Sequence, residues 1–216
     1  MSAGANLALR RIYELEKDTL ADFACGHADL DVFLTDSAHD YSEHGLTETI
    51  VAFVGSDPAP AAFFSLSADG LPLHSSEKFE LGLPFDCSIN YFPAVKITKL
   101  AVRGDMQSAG VGAELIKIIE GLAYNNSVAV RLLTVDAVND PRAISFYQRH
   151  GFKTSMQHEL RQERVKRNKP TRPEAVEQPQ SVLMYRDLYS PEEPEPPASQ
   201  WPRMAPANQI LPSEGG

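Results

Sequence analysis

The chain is short of cysteine, of tryptophan and of positive charge. Among 216 residues there are two cysteines, one tryptophan, and 20 Lys and Arg against 29 Asp and Glu, a net charge of −9. Cys25 and Cys87 form no metal-ligand spacing, so a structural zinc module is excluded. Two reduced, partly buried thiols are the simplest reading, with a disulfide between them left open. The acidic balance argues against generic nucleic-acid binding, because phosphate contact needs clustered Lys and Arg. No run approaches the length of a membrane-spanning helix. Met1-Ser2-Ala3-Gly4-Ala5-Asn6 lacks the basic-then-apolar pattern of a secretory leader. A cytoplasmic location without membrane contact is therefore expected, and no internal repeat is visible.

Hydrophobic residues make up 43% of the chain, enough for one domain with a real core, assigned to residues 1–188. From Ser190 onward seven prolines alternate with Glu192, Glu193 and Glu195, a composition that supports neither helix nor ladder. Residues 189–216 are expected to be a disordered tail, with Trp201, Ile210 and Leu211 as a short docking motif. Within the domain, residues 8–16 suit a first strand. Leu30, Phe33, Leu34, Ala38 and Tyr41 recur at helical spacing, with Asp29 as the expected N-cap and Gly45 as the stop. Thr47–Val54 and Ala61–Leu66 read as a hairpin around Pro58 and Pro60, and residues 68–90 as an irregular connection. Tyr91–Val102 is a long strand. Val111, Leu115, Ile118, Ile119 and Leu122 mark the apolar face of a helix over 109–124. Strands are expected over 131–135, from Phe152, and over 181–188.

Between the long strand and that helix lies Arg103-Gly104-Asp105-Met106-Gln107-Ser108-Ala109-Gly110-Val111-Gly112-Ala113. A helix N-terminus leaves its first N–H groups unpaired and carries partial positive charge, which suits a pyrophosphate. Gly110 and Gly112 lack a Cβ and let a ligand approach the main chain. No Lys-Ser/Thr follows, which excludes a P-loop, and Leu115 stands where a dinucleotide fingerprint needs glycine. Some thirty residues on comes Asn139-Asp140-Pro141-Arg142-Ala143-Ile144-Ser145-Phe146-Tyr147-Gln148-Arg149-His150-Gly151-Phe152. Asp140 suits an N-cap, Pro141 a first turn and Gly151 the residue past a helix end.

Gln-x-x-Gly-x-Gly after an apolar strand, followed by Asn, a helix with Ala-x-x-Phe-Tyr, and Gly-Phe, resembles the GNAT N-acetyltransferases over roughly residues 8–188. The resemblance implies an α/β (α+β) fold with a mixed, mostly antiparallel central sheet flanked by helices. It also implies acetyl-CoA as acyl donor, held by Leu100, Ala101, Val102, Gln107, Ser108, Ala109, Gly110, Val111, Gly112, Ala113, Asn139, Ala143 and Tyr147. Direct attack by an amine then needs an N–H donor at a strand bulge, expected near Leu100, and an acid for the leaving thiolate, expected at Tyr147. A phenol with an ordinary pKa of about 10 is protonated at neutral pH. Phe146 is expected to be the more core-like ring of the pair. No base stands out. Glu48 lies where some members carry one, and the six histidines are scattered.

Phe23-x-Cys25-Gly26-x-x-x-Leu30-Asp31-x-Phe33-Leu34 and the strand entry Pro93-Ala94-Val95-Lys96-Ile97-Thr98-Lys99-Leu100-Ala101-Val102 are similar to the GNAT-type toxins of bacterial toxin–antitoxin pairs. That likeness implies an aminoacyl-tRNA α-amine as acceptor, an antitoxin partner and a homodimer. An α-amine near pKa 7.7–8.0 is partly neutral at pH 7, whereas lysine near 10.4 is not. Such toxins are usually basic, while residues 1–165 here hold 22 acidic against 14 basic residues. Arg161, Arg164, Lys166, Arg167, Lys169 and Arg172 fall in one window opposed only by Glu163, either a solvated loop or a phosphate-contacting flap. A small-molecule amine or protein N-terminus is the alternative acceptor. A non-catalytic acyl-CoA-binding module with a recruiting tail is the alternative class.

Overall fold

A computed structural model describes residues 7–157, 159–160 and 181–190. Seven strands form one sheet in the order β1-β2-β3-β4-β5-β7-β6. They are β1 (Leu7–Arg11), β2 (Glu48–Val54), β3 (Ala62–Leu71), β4 (Phe92–Val102), β5 (Leu132–Val138), β6 (Lys153–Thr154) and β7 (Ser181–Asp187). All pairs are antiparallel except β4 with β5. This is the expected mixed, mostly antiparallel sheet.

Alternation assigns the two faces. Ala52, Ala62, Phe64, Val95, Ile97, Leu133 and Val135 point to one side. There they meet α5 (Val111–Tyr124), whose Leu115, Ile116 and Ile119 are fully buried. Ile118 and Leu122, expected on that face, only flank it, and Ile116 and Ala123 take the central places. Each fully buried aliphatic side chain contributes about 1.5–3 kcal/mol. The other face carries Val51, Phe53, Phe63 and Ala101 under the N-terminal helices, and Phe92, Ala94 and Leu132 under α4 (Ser75–Glu80).

Several local expectations shift. β1 ends at Arg11, because Ile12 turns into the core in a short 3-10 turn rather than continuing the strand. α1 (Lys17–Leu20) follows. The next helix starts at α2 (Ala28–Val32), widens by one residue per turn over Phe33–Ser37, and ends as α3 (Ala38–Glu43). Its N-cap is His27, not Asp29. Asp31 in its first turn instead accepts a hydrogen bond from the Cys25 amide at 2.8 Å. The 68–90 connection contains α4, which polar Ser75-Ser76-Glu77-Lys78 conceals from an apolar-periodicity reading. Its Glu77 is buried and accepts from the amides of His74 and Met156. Cys25 and Cys87 are both free thiols, the first buried.

Candidate active site

β4 and β5 run side by side only from Ala94/Leu132 to Ile97/Val135. Beyond that point they part. The cause lies in β4: Ser65 stands opposite Lys99 and Leu66 opposite Ile97, so Thr98 is an extra residue. The bulge therefore falls at Thr98, two residues before Leu100, and the Thr98 hydroxyl donates to the Ser65 carbonyl at 3.1 Å.

Strand alternation then orients the free edge. The Arg103 amide donates to the Ala61 carbonyl at 2.8 Å, so Ala101 and Lys99 also turn their amides toward β3. Val102 and Leu100 turn theirs the other way, into the space that β5 has left. The Val102 carbonyl confirms this by accepting from the Gln107 side chain at 3.1 Å.

At the head of that space stands the start of α5. Gly110 is its N-cap, in the left-handed region at φ 87°, and no side chain caps the helix. The first intrahelical bond of this turn is Glu114 N–H to Gly110 C=O at 3.1 Å, so the amides of Val111, Gly112 and Ala113 are available to a ligand. Ser108 is also left-handed, at φ 67°. Such a run of turns makes an anion-receiving concavity. The donor set, all backbone N–H at a positive helix end, fits a pyrophosphate.

Gly112 has a further reason. A Cβ there would lie 3.3 Å from Phe146 Cε2 and Cζ and 3.8 Å from Val102 Cγ2. The end of β4, the start of α5 and the ring of Phe146 thus meet at one residue. Phe146 is carried by α6 (Pro141–Arg149), capped by the Asp140 carboxylate on Arg142 N–H at 3.1 Å, with Pro141 in its first turn and Gly151 left-handed after it. Asn139 and the half-buried Ala143 lie at the entry and first turn of this helix.

The aromatic pair is reversed from expectation. Tyr147 is the core ring, 8% exposed, while Phe146 is only partly buried and lies against Gly112 at the edge of the core. Tyr147 packs edge-on to Phe146 and Phe152, with centroids at 5.2 and 5.3 Å. Burial alone pushes its phenol well above the ordinary value, so it stays protonated.

Gln107 spends its side-chain amide on the protein, donating to the carbonyls of Cys25 at 2.8 Å and Val102 at 3.1 Å. Together with Gly104 N–H on the Ala24 carbonyl at 2.9 Å, this ties the glycine loop to the Phe23-x-Cys25-Gly26 segment. Ala109 is exposed at the loop's tip and Val111 is anchored in the core. Glu48 lies two strands from β4 and pairs with Arg11 at 3.4 Å. Arg161, Arg164, Lys166, Arg167, Lys169, Arg172 and the tail from 191 lie outside the described residues. One group that a motif reading passes over is Asp136, the first β5 residue beyond the last β4 pairing, whose carboxylate is 2.6 Å from Lys96 Nζ. Its signal was the parity it shares with Leu132 and Thr134.

The fold is that of the GNAT acyltransferases. Residues 88–167 match the family model for an acetyltransferase (GNAT) domain. Solved structures similar to it include KacT and AtaT. One is a Tyr-to-Phe mutant of KacT, at 17% identity and TM-score 0.61, covering 84% of this chain and 95% of that one. Another is AtaT complexed with acetyl-methionyl-tRNAfMet, at 16% identity and TM-score 0.58, covering 82% and 94%. A third is a Tyr-to-Phe mutant of AtaT bound to the C-terminus of the antitoxin AtaR and acetyl-CoA, at 16% identity and TM-score 0.56, covering 85% and 94%. No curated protein matches by sequence. Among the described residues, no helix is long and apolar enough to cross a membrane.

Proposed function

We propose that this protein transfers acetyl from acetyl-CoA to the α-amine of aminoacyl-tRNA. The observation that carries the transferase part is the parting of β4 from β5 at the Thr98 bulge, directly below the uncapped start of α5. Acetyl-CoA supplies the activated acyl group as a thioester. The amides of Val111, Gly112 and Ala113 receive its pyrophosphate. The Leu100 amide, on the free edge of β4, donates to the acyl carbonyl oxygen as negative charge develops there; such a fixed donor is worth about 3–4 kcal/mol of barrier. Tyr147 faces the leaving sulfur from the α5 side of the sheet and gives it a proton. Asn139 and Ala143 frame the opening.

The acceptor reading rests on the Phe23-to-Leu34 segment, on the toxin neighbours, one of them complexed with acetyl-methionyl-tRNAfMet, and on the partly neutral state of an α-amine. An antitoxin that covers the site and a homodimer belong to the same reading, as does a cytoplasmic location. The basic residues Arg161 to Arg172 supply the phosphate contacts that the acidic domain otherwise lacks. The test is transfer of labelled acetyl from acetyl-CoA to bulk charged tRNA, with uncharged tRNA and Tyr147→Phe as controls. Label on charged tRNA alone, falling at least about tenfold in the variant, is the expected result. No label from protein that binds acetyl-CoA removes the tRNA acceptor and directs the search to small amines and protein N-termini.

A further inference from the structure

On the face opposite α5, a polar strip interrupts the apolar core. Register places Ser67, Lys96 and Thr134 in one row across β3, β4 and β5, with Asp136 two residues further along β5 and Asp69 two residues away along β3 in the opposite direction, all on this face. To one side lies the cluster under the N-terminal helices, to the other the cluster under α4. Thr134 is fully buried and donates to Asp69 at 2.5 Å, which fixes that carboxylate. Lys96 and Asp136 differ: they pair at 2.6 Å, yet their side chains are 30% and 45% exposed. Their position is specific. Ile97/Val135 is the last β4–β5 pair, so Asp136 stands at the fork itself, across from the bulge residue Thr98.

We propose that Asp136 is the carboxylate that receives the acceptor's amine, with the Lys96 ammonium occupying that place until the acceptor arrives. This deepens the acetyl-transfer reading and rests on it. The acyl carbon, if its oxygen meets the Leu100 amide, lies in the fork, with Tyr147 on the α5 side and Asp136 on the other. The amine then attacks from one face while the sulfur leaves to the opposite one. The incoming ammonium gives one proton to Asp136, and its lone pair forms the C–N bond. The C–S bond breaks, and sulfur leaves as the thiol with the Tyr147 proton. The second nitrogen proton returns to the Tyr147 phenolate, and Asp136 releases its proton to water. Exchange of one ammonium for another on an open pair is cheap, because such pairs contribute little on their own. Glu48 is less suited, two strands away and engaged by Arg11.

The experiment uses the full chain with CoA present and L-methioninamide as the amine probe, read by calorimetry, alongside acceptor KM and kcat on bulk charged tRNA. Asp136→Asn is expected to weaken L-methioninamide binding and raise acceptor KM by about tenfold or more, with acetyl-CoA binding unchanged. Lys96→Met is expected to tighten both. A pair that merely braces the sheet predicts the same direction for both variants, and that result overturns the assignment. So does wild-type protein that fails to bind L-methioninamide, or an Asp136→Asn variant that binds as wild type does. If the opposite-direction pattern appears while charged tRNA stays unlabelled, the tRNA reading fails and Asp136 keeps its role. If wild type labels charged tRNA and Asp136→Asn retains its KM, the Asp136 assignment fails alone.

Discussion

Two glycines on one helix offer a calibrated test of the site's packing. At Gly121 in α5, an added Cβ meets nothing within 4 Å; at Gly112 it meets Phe146 at 3.3 Å and Val102 at 3.8 Å. Replacing an interior helical glycine by alanine stabilises by about 1 kcal/mol. Gly121→Ala should therefore raise Tm by about 2–4 °C in a domain of this size. Gly112→Ala carries the same helical gain, or less in the first turn, against an overpacking cost of about 1–3 kcal/mol. Its net effect is a loss of about 0–2 kcal/mol. The larger effect is functional. Pushing the Phe146 ring a few tenths of an ångström also moves Tyr147, which packs on it edge-to-face at 5.2 Å. Acetyl-CoA affinity and turnover should fall in Gly112→Ala and stay unchanged in Gly121→Ala. Phe146→Leu should restore stability to the Gly112→Ala background, a coupling visible in a double-mutant cycle. Urea unfolding plus calorimetric titration with acetyl-CoA reads wild type, the three single variants and the double variant. If Gly112→Ala is as stabilising as Gly121→Ala and binds acetyl-CoA normally, the three-way contact is not what requires glycine there.

Other expectations follow from buried groups. Tyr147→Phe removes a hydroxyl whose pKa is raised by burial alone, so stability should change by less than about 1 kcal/mol while kcat falls about 10²-fold or more; a large stability loss with intact turnover would make Tyr147 a packing residue only. Burial, then the Asp31 hydrogen bond, raises the Cys25 thiol to about 11 from 9.0. Its neutral form is the one the fold prefers, so its contribution to stability is full below pH 9 and lost as pH rises toward 11. At pH 8, a thiol reagent should label Cys87 rapidly and Cys25 only on unfolding, as mass spectrometry can show. Arg186 pairs with Glu120 at 2.5 Å, both side chains nearly buried, and donates to the His150 carbonyl at 2.7 Å. Arg186→Met leaves Glu120 uncompensated and should cost about 3–5 kcal/mol, with Glu120→Gln in the same chain recovering part of it in urea titrations.

What the sequence made legible was whatever local chemistry dictates. The cap at Asp140, the proline in the first turn of α6, the stop at Gly151 and the strand into the glycine loop need only neighbours along the chain. Non-local causes stayed hidden. The bulge at Thr98 depends on the register of β3 against β4, and no pattern within β4 marks it. Gln107 looks like a ligand contact until the Cys25 carbonyl, 82 positions away in sequence, is placed beside it. Tyr147 and Phe146 exchange expected roles because the orientation of α6 against the sheet and α5, which turns Tyr147 inward, is a non-local property. Asp136 carried a readable signal, the two-residue period of β5, but its meaning depended on where β4 and β5 stop pairing.

The splice between the glycine loop and the Ala24–Cys25 backbone bears on how this chain can be cut. Residues 88–167, which the family model matches, hold the loop and α6 but not the segment that ties the loop down. They also lack β3, against which the bulge is registered, and β2, which pairs with β3. An excised 88–167 fragment would expose the underside of β4 and release both carbonyl–amide clasps at once. Engineering that treats this stretch as a portable cassette would lose the anchoring of the glycine loop; a transplantable piece has to reach back at least to Ala24.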